Sequence, residues 1–135
     1  MTALFVDTSF LAAYALRRDN HHDQARQLAD SHLSRPLCTT NLIVGELWTL
    51  LRNRLDHRQA IEFVDRVPAL PTLRLERVAA GLEAEAWAWL RVHDERAYSF
   101  VDATSFALMR KVRIREALAF DGDFAAAGFV ELRPN

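Results

Sequence analysis

At 135 residues the chain is the size of one small domain. Half of its residues are hydrophobic and 26% are charged, which excludes a disordered tail. A single cysteine, Cys38, excludes an internal disulfide and a cysteine-based zinc cluster. With 17 basic residues against 18 acidic ones the net charge is −1, which excludes a general basic grip on nucleic acid but leaves room for a local basic face.

In chain order, Ala3 to Val6 reads as a short strand buried on both faces, ended by Asp7-Thr8-Ser9. Phe10, Leu11, Tyr14 and Ala15 follow at helical spacing, so the chain opens as an α/β unit. This apolar start is broken by Asp7 and has no basic run before it, so no membrane segment or signal peptide is expected and the chain reads as cytoplasmic. A helix is predicted over His22 to Leu33, stopped by Pro36, and a strand over Leu37 to Thr39. Thr39 or Thr40 caps a helix whose stripe includes Leu42, Ile43, Leu47, Leu50 and Leu51. Another helix covers His57 to Val67 and ends before Pro68. Leu73 and Leu75 alternate as in a strand, and Val78 to His93 is an alanine-rich helix. Ser99 caps a helix over Phe100 to Val112. Ala117 to Phe120 is an apolar strand ended by Asp121, and Phe129 to Leu132 is a final strand. Trp87, Tyr14 and Leu16 are read as facing a partner, and Cys38 as a buried small hydrophobe.

The acids carry the chemistry. Asp7 and Asp121 each end an apolar strand, where ligands of open α/β sheets bind. The alternative for Asp7 is a helix cap. Glu46 lies in an i, i+4, i+8 line with Leu42 and Leu50, which points to pairing or cation binding, or else to the border of the stripe. Asp102 completes a capping box with Ser99 yet shares a face with Phe106 and Met109, so both roles stand. Gly122 allows a sharp turn that brings Asp123 near Asp121. Carboxylates that converge without Cys or paired His suit Mg²⁺ or Mn²⁺.

Phe5-Val6-Asp7-Thr8-Ser9, Thr39-Thr40 through Glu46, Ser99 to Phe106, and Ala119 to Phe124 followed by Gly128-Phe129 form an ordered set. On these motifs, across essentially its whole length, the chain resembles PIN-domain ribonucleases, specifically the VapC-type toxins of type II toxin–antitoxin modules. The resemblance implies a three-layer α/β/α sandwich with a central parallel sheet of four or five strands, one nuclease domain over residues 1–135. It implies a catalytic metal site of Asp7, Glu46, Asp102 and Asp121, with Asp123 as an accessory ligand and Thr8 or Ser9 as polar helpers. The chain departs from the family at Ala119, where a Thr or Ser is usual.

The activity implied is Mg²⁺- or Mn²⁺-dependent hydrolysis of structured RNA, tRNA or rRNA, leaving a 3′-hydroxyl and a 5′-phosphate. The partners implied are a cognate antitoxin, which calls for an exposed apolar groove, and a second copy in a homodimer. Arg110, Lys111, Arg113 and Arg115, the densest basic segment, are candidate RNA contacts. The alternatives are a PIN-type RNA-processing nuclease outside any toxin module and a catalytically silent RNA-binding protein. A two-component receiver would need paired acids after the first strand and a late lysine, and neither is present.

Overall fold

The computed structural model describes residues 2–135. Five strands form one all-parallel sheet: β1 (Leu4–Val6), β2 (Leu37–Thr40), β3 (Leu73–Glu76), β4 (Glu116–Leu118) and β5 (Val130–Glu131), in the order β3-β2-β1-β4-β5. Short apolar runs become central strands because a parallel sheet is covered on both faces. Leu4, Phe5 and Val6 are all buried, with Leu4 level with Leu37 on one side and with Glu116 on the other.

The helices follow from the crossovers. α1 (Thr8–Ala15) and α2 (His22–His32) join β1 to β2, and α3 (Asn41–Arg54) and α4 (His57–Arg66) join β2 to β3. α5 (Ala80–Val92) and α6 (Phe100–Val112) carry the chain back across β1 to β4, and α7 (Asp123–Ala126) leads to β5. α1 packs on α2 and α3, and α3 on α4, while α5 packs on α6 and α6 on α7. Parallel crossovers have one hand, so connections that run in opposite directions from the sheet centre place these two groups on opposite faces. This is the expected α/β/α sandwich with a five-stranded sheet.

Strand β1 leads outward to β2, and β4 leads outward the other way to β5. The sheet therefore switches direction between β1 and β4, and their C-terminal ends flank the crevice where such folds bind ligands. Phe124 fastens α7 beneath that crevice. It is fully buried, its ring 5.0 Å from Phe106 and 5.8 Å from Phe5.

Several boundaries shift from those expected. β4 spans Glu116–Leu118, two residues short of Phe120, so Asp121 does not directly follow the strand. The ladder ends where the Asp7 amide donates to the Leu118 carbonyl and β1 turns into α1. α5 starts at Ala80, two residues later than expected, and the Val78 amide ahead of it donates to the Asn41 side chain at 2.8 Å. Tyr14 and Trp87 are exposed, but Leu16 is buried in the core. Cys38 is also buried, and burial above all pushes its thiol up to about 11, which keeps it unreactive. No helix among the described residues is long and apolar enough to cross a membrane.

Candidate active site

Asp7 stands between β1 and α1 and serves as the cap of α1. Its Oδ2 accepts the Ser9 amide at 3.1 Å and the Ser9 hydroxyl at 2.7 Å. The same hydroxyl accepts the Phe120 amide at 2.9 Å, so one side chain ties the end of β1 to the stretch after β4. Ser9 is thus a bridge between the two sides of the crevice. Thr8 Oγ1 is buried with no hydrogen-bond partner among the described residues.

Asp102 lies in the first turn of α6 and closes the expected capping box. Its Oδ2 accepts the Ser99 amide at 3.0 Å, and its own amide donates to the Ser99 hydroxyl at 2.9 Å. Capping and site roles coexist, since a helix N-terminus favours negative charge. Asp121 accepts the Asp123 amide through Oδ1 at 3.1 Å. The turn passes through Gly122 at φ 81°, a left-handed conformation that glycine adopts without steric cost.

Carboxylate oxygens of Asp102, Asp121 and Asp123 come within 4.8 Å of one another. Asp7 is outside that group but feels it. Its pKa rises to about 8, first through burial and then through the charge of Asp121, with Asp102 adding to the effect. Asp102 rises to about 6, again chiefly by burial, with Asp121 and Asp123 contributing. Asp121 rises for the same leading reason, with Asp123 and Glu131 beside it.

Each of the four acids commits one oxygen to a protein donor: Ser9 for Asp7, Ser99 for Asp102, the Asp123 amide for Asp121, and Arg96 for Asp123. The other oxygen of each has no hydrogen-bond partner among the described residues. Four mutually repelling carboxylates, each with a free oxygen and no sulfur or imidazole donor, fit a hard divalent cation. Glu46 is not among the acids whose oxygens lie within 4.8 Å of one another. It is half-buried on α3 and makes no hydrogen bond or ion pair among the described residues.

The candidate RNA contacts lie elsewhere. Helix α6 begins at the carboxylates and runs away from them. Lys111 is nine residues beyond Asp102, roughly 14 Å along the axis. Arg110, Arg113 and Arg115 line a concavity with Phe129 and Val130 at the N-terminal edge of β4.

Two groups at the site had no signal in the sequence. Arg96, in the loop between α5 and α6, donates to Asp123 Oδ1 at 3.0 Å through Nε. Glu131, whose side chain is 4% exposed, accepts the Gly122 amide at 3.3 Å and the Ala125 amide at 3.1 Å, and pairs with Arg133 at 3.1 Å. Arg133 also donates to the Ala119 carbonyl at 2.8 Å, at the position where the family's usual Thr or Ser is replaced. Arg96 sits in a loop with no periodicity to read and Glu131 at the end of the two-residue strand β5, and their partners lie on segments distant in sequence or brought close only by the fold.

The PIN-domain model matches residues 4–130, nearly the whole chain. The chain belongs to the PIN-domain family. Within this PIN-domain family it is 52% identical to the 23S rRNA-specific endonuclease VapC20 of Mycobacterium tuberculosis, from strains CDC 1551 / Oshkosh and H37Rv. Each alignment runs over 133 residues and covers 97% of this chain and 98% of the relative. The crystal structure of M. tuberculosis VapC20, described as a sarcin–ricin loop cleaving toxin, superposes with a TM-score of 0.91. It is 52% identical and covers 97% of this chain and 99% of that one. The resemblance to VapC-type toxins drawn from the motifs is borne out.

Proposed function

We propose that this chain is a metal-dependent endoribonuclease toxin that cleaves the sarcin–ricin loop of 23S rRNA. The observation that carries the reading is the set of carboxylates at the switch point between β1 and β4, each with one oxygen free. The full-length likeness to a 23S rRNA-specific endonuclease supports the substrate.

Asp7, Asp102 and Asp121 would hold Mg²⁺ or Mn²⁺, with Asp123 beside them and Glu46 acting through water. A bound divalent cation there supplies activation of water and balance for the charge that builds on the phosphate. The protein does the rest. The N-termini of α1 and α6 fix Asp7 and Asp102 in place before substrate arrives. Ser9 holds Asp7 against the stretch after β4. Without a cation the buried Asp7 carboxyl keeps its proton at neutral pH, and it would release that proton to hold one. The products are a 3′-hydroxyl and a 5′-phosphate.

The apolar concavity lined by Phe10, Tyr14, Leu33, Phe63 and Leu70 supports regulation by an antitoxin segment. The exposed Trp87, stacked on Phe100 at 4.5 Å, supports a homodimer. A ribosomal substrate supports a cytoplasmic location, and the PIN-domain match over residues 4–130 supports one nuclease domain over residues 1–135.

The test is incubation of the purified protein with ribosomes and Mg²⁺ or Mn²⁺, with primer extension across the 23S rRNA. Cleavage in the sarcin–ricin loop is expected, lost by at least about a hundredfold in Asp102→Asn. Equal cleavage by that variant would sink the assignment of the site, and RNA binding without cleavage by the wild type would favour the silent RNA-binding alternative.

A further inference from the structure

Arg96 is the only basic side chain that hydrogen-bonds or ion-pairs with the four site carboxylates among the described residues. Its Nε lies 3.0 Å and its Nη2 2.9 Å from Asp123 Oδ1, and Nη2 lies 3.4 Å from the Asp121 carbonyl. These contacts use one edge of the guanidinium. Nη1 makes no hydrogen bond, and 42% of the side chain faces solvent. The group is therefore anchored and only partly consumed. A guanidinium has five N–H donors in a fixed fork that matches phosphate oxygens.

The position matters more than the charge. RNA must bring a phosphate up to an acidic crevice, against repulsion from Asp102, Asp121 and Asp123. The basic segment from Arg110 to Arg115 is at the other end of α6 and cannot relieve that repulsion locally. Arg96 can, because it is bonded to a member of the acid group itself.

Building on the nuclease reading above, we infer that Arg96 is a substrate-positioning residue, held by Asp123, whose free Nη1 edge takes a phosphate oxygen of the RNA next to the scissile bond. Asp123 then serves chiefly to aim Arg96, which explains why one of its oxygens is occupied by a cation within the protein. The rival account is that Arg96 only offsets the charge of the acids and is displaced when a metal binds.

The experiment compares wild type, Arg96→Gln, Arg96→Lys and Arg26→Gln. Arg96 is exposed, so its replacement leaves the core untouched. Binding to a synthetic hairpin carrying the sarcin–ricin loop is followed by fluorescence anisotropy in EDTA across a salt series. Arg96→Gln is expected to bind about tenfold more weakly and to flatten the salt slope by about 0.7–0.9, the share of one phosphate contact. Arg26→Gln, on the exposed face of α2, should change affinity less than about twofold. Mn²⁺ binding without RNA should tighten only modestly in Arg96→Gln, by less than about threefold, as one exposed cation leaves the acid group. Arg96→Lys should recover the salt slope but not the cleavage rate, because an ammonium lacks the fork.

Unchanged RNA binding by Arg96→Gln would overturn the inference, as would equal losses for Arg96→Gln and Arg26→Gln. Tighter Mn²⁺ binding with RNA affinity intact would establish the charge-offset account instead. A wild type that does not cleave, but binds RNA in an Arg96-dependent way, would defeat the nuclease reading and leave the role of Arg96 standing. A cleaving wild type indifferent to Arg96 would do the reverse.

Discussion

Asp7 shows how one side chain answers to two demands. As the cap of α1 it satisfies the Ser9 amide, and the same burial makes its negative charge costly. Its pKa in the folded protein is about 8, against 3.8 for the unperturbed group. Between those values the folded chain binds more protons than the unfolded chain, so stability falls as pH rises through that window. Asp7→Asn keeps a capping oxygen and removes the charge. The metal-free variant should match wild type near pH 4, where both side chains are neutral, and melt several degrees higher at pH 9. A thermal melt at several pH values in EDTA checks this, and a constant difference between the two proteins would contradict it. The identity of Asp7 was legible because an acid ending an apolar run is conspicuous. The work of Ser9 was not, since its partner Phe120 is 111 residues away and becomes a neighbour only once β1 pairs with β4.

At the scale of elements, the weakest-looking part of the site is the turn into α7. Four residues make a poor helix on their own. The turn is held from below by Phe124 and from the side by Glu131, which accepts two of its amides and is itself fixed by Arg133. Glu131→Gln turns one of those acceptors into a donor facing an N–H. It should cost about 1–3 kcal/mol in chemical denaturation and lower cleavage about tenfold or more by loosening Asp121 and Asp123. Gly122→Ala is a useful contrast, because the new methyl meets nothing closer than Arg96 Nη2 at 3.5 Å. Its cost, about 1–2 kcal/mol, comes from the left-handed backbone alone. If Glu131→Gln lost stability but kept full cleavage, Glu131 would be a prop for the fold with no hold on the acids.

The elements themselves were largely readable. Short apolar runs beside an acid or a proline gave β1, β2 and β4, the alternation of Leu73 and Leu75 gave β3, and Ser99 and Thr40 gave helix starts that the structure keeps. The end of β4 was misjudged because Ala119 and Phe120 are as buried as the strand before them, and burial alone does not separate a strand from the packed segment after it.

For the whole molecule, near-zero net charge conceals a polar arrangement. Four acids collect at the C-terminal edge of the sheet and the densest arginine segment at the opposite edge. The acids repel one another there, with Arg96 as their single cationic partner among the described residues, so the metal-free fold carries a local electrostatic cost that a divalent cation removes. Metal binding should therefore stabilise the whole domain. At a metal concentration a hundred times the dissociation constant, the gain is about 2.7 kcal/mol, or roughly 10 °C in melting temperature for a chain of this size. The sign of its pH dependence follows from the raised carboxyls. Protons compete with the cation at Asp102 up to about pH 6 and at Asp7 up to about pH 8, so affinity falls as pH falls through those values. At a fixed Mn²⁺ concentration the thermal shift should grow steadily from pH 5.5 to pH 8.5, and titration calorimetry at pH 7 in buffers of different ionisation enthalpy should register protons released on binding. Asp102→Asn should lose most of the shift at every pH. A shift that is independent of pH, with no proton release, would mean that the cation binds away from Asp7 and Asp102.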